Sequence, residues 1–303
     1  MKNLDVVDEF LQVYFNKKVS YKATGDILLG RNYTFDLIDT PYILKFFGDK
    51  YKWGREIASL EFIKNKNIKA PQIYDCGLYN NNYWAIITRL PGVIFQEILP
   101  QLSCDEKKDL YYESGQLLGK LHTLTHTSIF GDWDETQQKK FDYSSFYDFE
   151  TSKNRRRAYR TLELTERDIN LFKNAIKEML DLEYCLQNTN TFSLCHNDFI
   201  PRNILVQQIN GEWHISGLID FEAGYPSDSD SDLTKMFFEN YNNENWRNFI
   251  SGYSSLFPSW RDDEKKRRYY LISICLEICS WAFNRCEDYY FKAENLLKNL
   301  LET

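Results

Sequence analysis

No C-x-x-C pair occurs in this sequence, and of its four histidines only His196 adjoins a cysteine, Cys195. Structural zinc sites draw on pairs of closely spaced Cys and His ligands, so a structural zinc site is not the expectation. The seven cysteines are odd in number and scattered, with Cys275 and Cys279 one helical turn apart in an apolar run. They read as small buried hydrophobes in a reducing compartment rather than as a disulfide framework. Long apolar runs are also missing. The longest, YYLISICLEICSWAF, is interrupted by Glu277 and is too short to span a bilayer. The opening residues, MKNLDVVDEF, carry no apolar segment of the secretory-signal kind. A cytoplasmic protein with no membrane partner is the expectation. Basic excess is absent as well: the net charge is -7. The densest basic cluster, Lys153-Asn154-Arg155-Arg156-Arg157, reads as a solvated helix face, so nucleic acid is not an expected partner. An acidic chain does suit a cationic one. There is no internal repeat and no low-complexity linker.

What is present is an ordinary globular composition, 43% apolar and 27% charged. At 303 residues the chain is long for one core, which points to two domains or one two-lobed unit. DVVDEFLQVYF reads as a short opening helix. TFDLID and YILKFF flank Thr40-Pro41 as a strand hairpin. GREIASLEFIKNKN spaces Ile57, Leu60 and Ile63 as a helix does, and NYWAIITRL is a strand that Pro91-Gly92 ends. Beyond Gly92 the pattern turns helical. Ser103-x-x-Glu106 has the form of a capping box ahead of Leu110, Leu117, Leu121 and Leu124. Residues 125–160 show weak periodicity. Thr165 with Asp168 is expected to open a helix carrying Ile169, Phe172, Ile176, Met179 and Leu180. The predicted division is a β-rich lobe, 1–90, and a mainly helical lobe, 91–303. In the second, helices over about 103–190 and 231–303 surround a hairpin at 193–224.

That hairpin carries the chemistry. NILVQQI and WHISGLI are separated by Asn210-Gly211-Glu212, and Asn-Gly between β-rich runs is a strong hairpin signal because both residues tolerate positive φ. Asp198 lies just before the first strand, Asn203 at its start and Asp220 at the end of the second. Antiparallel pairing is expected to gather them at the open end of the ribbon. Two carboxylates and an amide in one place repel or stay unsatisfied unless a cation joins them, and hard oxygen donors suit Mg²⁺. H-N-D-x-x-x-x-N followed by I-D-F-E matches the phosphoryl-transfer template. There the first Asp (Asp198) accepts a hydroxyl proton, while the Asn (Asn203) and the later Asp (Asp220) hold Mg²⁺. His196 braces the loop.

The same template needs a strand lysine fixed by a helix carboxylate. Lys45, amid apolar strand residues in YILKFF, costs free energy unless paired. Glu56 is its expected partner, and Glu61, five residues on, is the competitor that cannot share its helix face. Gly30-Arg31-Asn32 is a candidate phosphate-covering turn, contributing Gly30 and Asn32. The backbone of Thr88, Arg89 and Leu90 is a candidate edge for an adenine or guanine base.

These segments together resemble the aminoglycoside phosphotransferase family, within the protein-kinase-like superfamily. The carrying stretches are YILKF, REIASLEFI, TRLPG, LGKLH at 118–122, CHNDFIPRNILV and GLIDFEAGYPSDSDSDL, whose order and spacing extend over most of residues 25–235. The resemblance implies an α+β, bilobal protein-kinase-like fold. It also implies Mg²⁺ and transfer of the γ-phosphate of ATP or GTP to a hydroxyl of a small molecule, foremost an aminoglycoside. Kinases of choline, methylthioribose, homoserine or a macrolide share nearly every residue named above. A non-enzymatic kinase-like structural protein is a further alternative, though Lys45, Asp198, Asn203 and Asp220 are all present. Position by position, Asp232 matches the family's structural aspartate. GYPSDSDSDL is longer than usual, so Asp228 and Asp230 compete for that place. His122 is expected as a buried helix-end histidine. On the substrate side, Glu277 and Trp281, four apart on one helix face, and Glu287 at the helix's end suit a sugar amine by charge and ring stacking.

Overall fold

The computed structural model describes residues 4–24, 32–165, 167–241 and 243–302. In chain order the elements are α1 (Leu4–Phe15), β1 (Tyr21–Thr24), β2 (Asn32–Leu37), β3 (Tyr42–Phe47), α2 (Lys50–Ile63), β4 (Ile73–Tyr79), β5 (Asn82–Thr88), β6 (Val93–Ile94), α3 (Phe95–Ile98) and α4 (Cys104–Leu124). There follow α5 (Phe146–Leu164), α6 (Ile169–Leu182), β7 (Ser193–Cys195), β8 (Ile204–Ile209), β9 (Glu212–Leu218), β10 (Tyr225–Ser227), α7 (Ser229–Glu239), α8 (Glu244–Leu256), α9 (Glu264–Ala282) and α10 (Glu287–Glu302). No described helix is long and apolar enough to cross a membrane.

The chain forms two compact units. The first is Met1–Glu113, Trp133–Gln138 and Pro201–Gly224; the second is Ser114–Asp132, Lys139–Ile200 and Tyr225–Thr303. The β8–β9 hairpin therefore groups with the N-terminal sheet, whereas a cut at residue 90 would separate them. Three sets of contacts draw it there. Strand β6 pairs with β8 (Val93↔Val206, Ile94↔Leu205). Lys69 donates from Nζ to the Ile215 carbonyl at 2.7 Å. The Leu218 N–H donates to the Lys69 carbonyl at 2.8 Å.

The first unit is built on a five-stranded antiparallel sheet in the order β1-β2-β3-β5-β4. Side chains alternate across a strand. Leu44 and Phe46 of β3 thus join Phe35, Leu37, Trp84 and Ile86 in an apolar cluster with Val7, Phe10 and Leu11 of α1. Lys45, between them, falls on the opposite face, opposite Thr34 on β2 and Ala85 on β5. Helix α2 starts where Asp49 accepts a hydrogen bond from the Tyr51 N–H, and it buries Ile57, Leu60 and Ile63 as their spacing foretold. At Pro91-Gly92 a glycine is required: φ is +113°, and a Cβ would lie 2.4 Å from the Val206 carbonyl oxygen. The hairpin turn has Asn210 at φ 55° and Gly211 at φ 89°, the pair of positive angles that Asn-Gly supplies.

The second unit is mainly helical. Helix α9 is its axis, with Tyr269, Leu271, Ile272, Cys275, Leu276 and Cys279 buried against α5, α6, α7 and α10. Of the cysteines, Cys195, Cys275 and Cys279 are buried but Cys104 and Cys286 are exposed, so burial accounts for only part of the set. Three expectations need correction. The weakly periodic region holds a long helix, α5, whose N-cap Ser145 accepts from the Asp148 N–H. Thr165 closes α5 instead of opening α6, and Asp168, which precedes α6, sits at φ 55° with no side-chain cap. The basic cluster is no plain solvated face: Lys153, half-buried, pairs with the buried Glu150, Arg155 pairs with Glu183, and Arg157 pairs with Glu277.

The second half of α4 packs tightly against α8 at Gly115. A Cβ at Gly115 would lie 1.9 Å from the Phe249 carbonyl oxygen and 2.7 Å from the Tyr253 nitrogen, both backbone atoms with little freedom to move. Gly115→Ala is expected to destabilise the protein by about 1–3 kcal/mol through overpacking, or to prevent folding. Thermal or urea denaturation checks it, and a Gly115→Ala protein as stable as the parent would refute the packing described.

Candidate functional site

The buried lysine of β3 organises the first unit's polar face. Lys45 is 6% exposed. Its ammonium donates to Glu56 Oε2 on α2 at 2.5 Å and to Asp220 Oδ1 at 2.9 Å. Burial disfavours the charged amine, but the carboxylates of Asp220, Glu56 and Glu222 outweigh it and hold the Lys45 pKa above its ordinary value. Burial pushes the Glu56 carboxyl up to about 7, with Lys45 pulling against it. Glu61 is excluded as partner, since it is exposed and pairs with Lys64 on its own helix at 3.2 Å.

Asp220 reaches Lys45 because the backbone turns sharply after β9. Ile204 and Leu218 are opposite each other in the β8–β9 ladder, and the Ile219 N–H donates to the Asn203 carbonyl at 2.9 Å. Asn203, buried, and Asp220 are thereby held at the same open end of the hairpin. Asp220 adopts φ 70°, ψ 61°, a left-handed conformation that aspartate tolerates better than bulkier residues. Two residues on, Glu222 forms an ion pair with Lys52, one turn before Glu56 on α2. Burial, and after it the Asp220 charge, raises the Glu222 pKa. Carboxylate oxygens of Glu56, Asp220 and Glu222 lie within 4.8 Å of one another. With the Asn203 amide at the same hairpin end, the donor set is all hard oxygen, which fits Mg²⁺ and not a soft metal. Glu222 and Lys52 were not singled out from sequence. The I-D-F-E run held the signal for the first, and the i, i+4 spacing of Lys52 and Glu56 held it for the second.

Asp198 lies in the second unit, in a loop held by Asp232. That aspartate is fully buried. It accepts from the His196 N–H at 2.6 Å and the Asn197 N–H at 2.7 Å, and it faces the His122 ring nitrogen Nε2 at 3.2 Å. His122 is itself buried, with Nδ1 on the Tyr253 hydroxyl at 2.9 Å. Asn197 turns the chain at φ 60°, and the Asp198 N–H donates to His196 Nδ1 at 3.3 Å. His196 thus braces the loop through its ring. The other two aspartates have different work. Asp228 caps α7 and accepts from the Tyr270 hydroxyl. Asp230 accepts from the Trp260 indole N–H at 2.7 Å and pairs with Lys266; burial, then Asp228, pushes its pKa up to about 6.

The remaining sequence candidates fare unevenly. Gly30 lies outside the described residues, as does the side chain of Asn32, which opens β2. The Thr88 and Arg89 N–H groups donate to the Gln72 and Pro41 carbonyls, and the Arg89 guanidinium donates to the Leu37 carbonyl and pairs with Asp36. The edge proposed for a base therefore lacks those two donors, leaving Leu90. Of the substrate-side residues, Glu277 meets Arg157 at 2.9 Å and Trp281 packs against Tyr289 at 5.7 Å between ring centroids. Glu287 does not end a helix but begins α10, because the chain breaks helix after Ala282.

Replacing Lys45 by methionine leaves the Glu56 and Asp220 carboxylates uncompensated. It is expected to cost about 3–5 kcal/mol of stability. Glu61→Gln should stay within about 0.5 kcal/mol of the parent. Differential scanning fluorimetry separates these outcomes.

Residues 30–264 match the model of the phosphotransferase enzyme family. A sequence comparison with curated proteins finds no match. Among solved structures the chain resembles aminoglycoside phosphotransferase APH(4)-Ia, with TM-score 0.75, 17% identity and 99% of each chain covered. It also resembles the GDP complex of aminoglycoside 2'-phosphotransferase-IIIa, with TM-score 0.69, 15% identity, and 100% of this chain and 99% of that one covered. A third likeness is the streptomycin-ATP-APH(2")-IIa ternary complex, with TM-score 0.61, 19% identity, and coverage of 100% and 98%. At these identities the likeness shows the fold, an α+β protein-kinase-like one. With that match spanning residues 30–264, most of its length, the chain belongs to the phosphotransferase enzyme family.

Proposed function

We propose that this protein moves the γ-phosphate of ATP or GTP to a hydroxyl group of a small molecule. The observation that carries the reading is the buried Lys45 ammonium shared by Glu56 and Asp220, with Asn203 at the same hairpin end as Asp220. A lysine so placed is fixed in direction, and phosphate oxygens can compete with Asp220 for its protons. Asn203 and Asp220 would hold Mg²⁺, which when bound neutralises charge on the transferring phosphate. Asp198, five residues before Asn203, accepts the proton of the acceptor hydroxyl. The hydroxyl oxygen forms a bond to the γ-phosphorus, the bond to the bridging β–γ oxygen breaks, and the nucleoside diphosphate leaves. Leu90 offers the backbone edge for the base.

The acceptor we favour is an aminoglycoside. Solved relatives of this fold carry hygromycin B and streptomycin, and the chain's net charge of -7 suits a polycation. A second reading, a less cationic acceptor such as choline, methylthioribose, homoserine or a macrolide, is favoured by the pairing of acids in the second unit. Glu277 is engaged by Arg157, and Glu239 by Lys292.

The test is a phosphorylation screen of the purified protein with ATP and GTP separately, over aminoglycosides and the other acceptors named. Phosphate transfer to an aminoglycoside is expected; turnover only of another acceptor would move the assignment to the second reading. Asp198→Ala should lower turnover by roughly two to four orders of magnitude, while the nucleotide thermal shift persists. Near-native activity in that variant would overturn the assignment of the base. EDTA should abolish transfer, and Mg²⁺ should restore it.

A further inference from the structure

Lys235 sits on α7, three residues after Asp232, in D-L-T-K. Its ammonium lies 2.8 Å from Asp198 Oδ1, and the two side chains are only 22% and 19% exposed. Asp198 is its ion-pair partner among the described residues. The same helix therefore grips this loop at two points, one turn apart. Asp232 takes the amides of His196 and Asn197, and Lys235 takes the carboxylate of Asp198. Between them His196 Nδ1 accepts the Asp198 amide. Each of three consecutive residues is thus held, and the one group of the loop with chemistry to perform is held through its side chain.

We infer that Lys235 is a positioning residue for Asp198: by binding one carboxylate oxygen it fixes the rotation of the carboxylate toward the acceptor hydroxyl. The inference rests on the reading of Asp198 as the proton acceptor. A charge-assisted N–H···O contact is short and directional, and a lysine shielded to this degree has fewer rotamers to explore than a solvated one. Misplacement of a reacting group by about 1 Å can cost about 100-fold in rate, so the expected effect falls on turnover rather than on nucleotide binding. The alternative is that Lys235 contacts substrate or phosphate directly, and a double-variant experiment separates the two.

The experiment measures γ-phosphate release from ATP and from GTP in Mg²⁺, with water alone and with hygromycin B, kanamycin and streptomycin, for the parent, K235M, K235R, D198N and D198N/K235M. Melting temperatures are recorded for all. K235M should lower kcat by about 10- to 100-fold, with the nucleotide KM within about twofold and little change in melting temperature. K235R should recover most of the loss. In the D198N background, adding K235M should cost nothing further, because its effect passes through Asp198. The inference is overturned if K235M keeps the parent kcat. It is also overturned if K235R is as poor as K235M and both melt several degrees lower, or if K235M still reduces the residual rate of D198N. Parental activity in D198N, or no phosphate release by the parent with either nucleotide, would instead bring down the functional reading and this inference with it.

Discussion

An ammonium group taken out of water must be answered by carboxylates, and Lys45 is answered by two. Everything on the polar face of the first unit follows from that demand. Strand β3 places the lysine by simple alternation, with Leu44 and Phe46 turned into the apolar cluster and the lysine turned away. Helix α2 must then bring a carboxylate into a buried position, which Glu56 does at 1% exposure. The backbone after β9 must pass through a left-handed residue to bring Asp220 to the same ammonium. A pair of this kind contributes little net stability, because desolvation offsets much of the attraction. Its effect is to make three elements far apart in sequence agree on one geometry.

The second unit reverses the signs. There a buried anion, Asp232, is the fixed point, and it is answered by two backbone amides and the His122 ring rather than by a lysine. Backbone amides are rigid donors, so the carboxylate dictates the path of residues 196–198 more strictly than a flexible cation could. Lys235 adds an ion pair to the Asp198 side chain of that loop. The long GYPSDSDSDL segment is divided by role: a helix cap at Asp228, an indole and lysine partner at Asp230, and a loop anchor at Asp232.

Much of this was legible in the residues. The β2–β3 hairpin, helix α2, the Asn210-Gly211 turn and the Ser103–Glu106 capping box all have local causes. The box forms as its pattern requires, with Glu106 accepting from the Ser103 N–H at 2.8 Å and the Ser103 hydroxyl accepting from the Glu106 N–H at 3.2 Å. Lys45 and Glu56 were legible because a lone lysine in an apolar strand demands a partner within reach of one helix face. What was hidden depends on tertiary partners. Helix α5 lacks a clean apolar stripe because its polar residues, Lys153, Arg155 and Arg157, are spent on Glu150, Glu183 and Glu277. Three aspartates at alternate positions look alike in sequence, and only their surroundings tell them apart. Thr165 resembles a helix start because threonine serves either end of a helix. The exposed cysteines, Cys104 and Cys286, follow no pattern visible beforehand.

The anchoring of the Asp198 loop also sets an order of events. The His196 and Asn197 amides find their acceptor 36 and 35 residues further along the chain, and the His122 ring finds the same carboxylate 110 residues later. A nascent chain that has emerged only as far as the β8–β9 hairpin already contains every residue of that loop, yet has nothing to close it around. The loop matures only when α7 arrives. Synthesis from the N-terminus therefore supplies every partner of Lys45 before it supplies the anchor of the Asp198 loop.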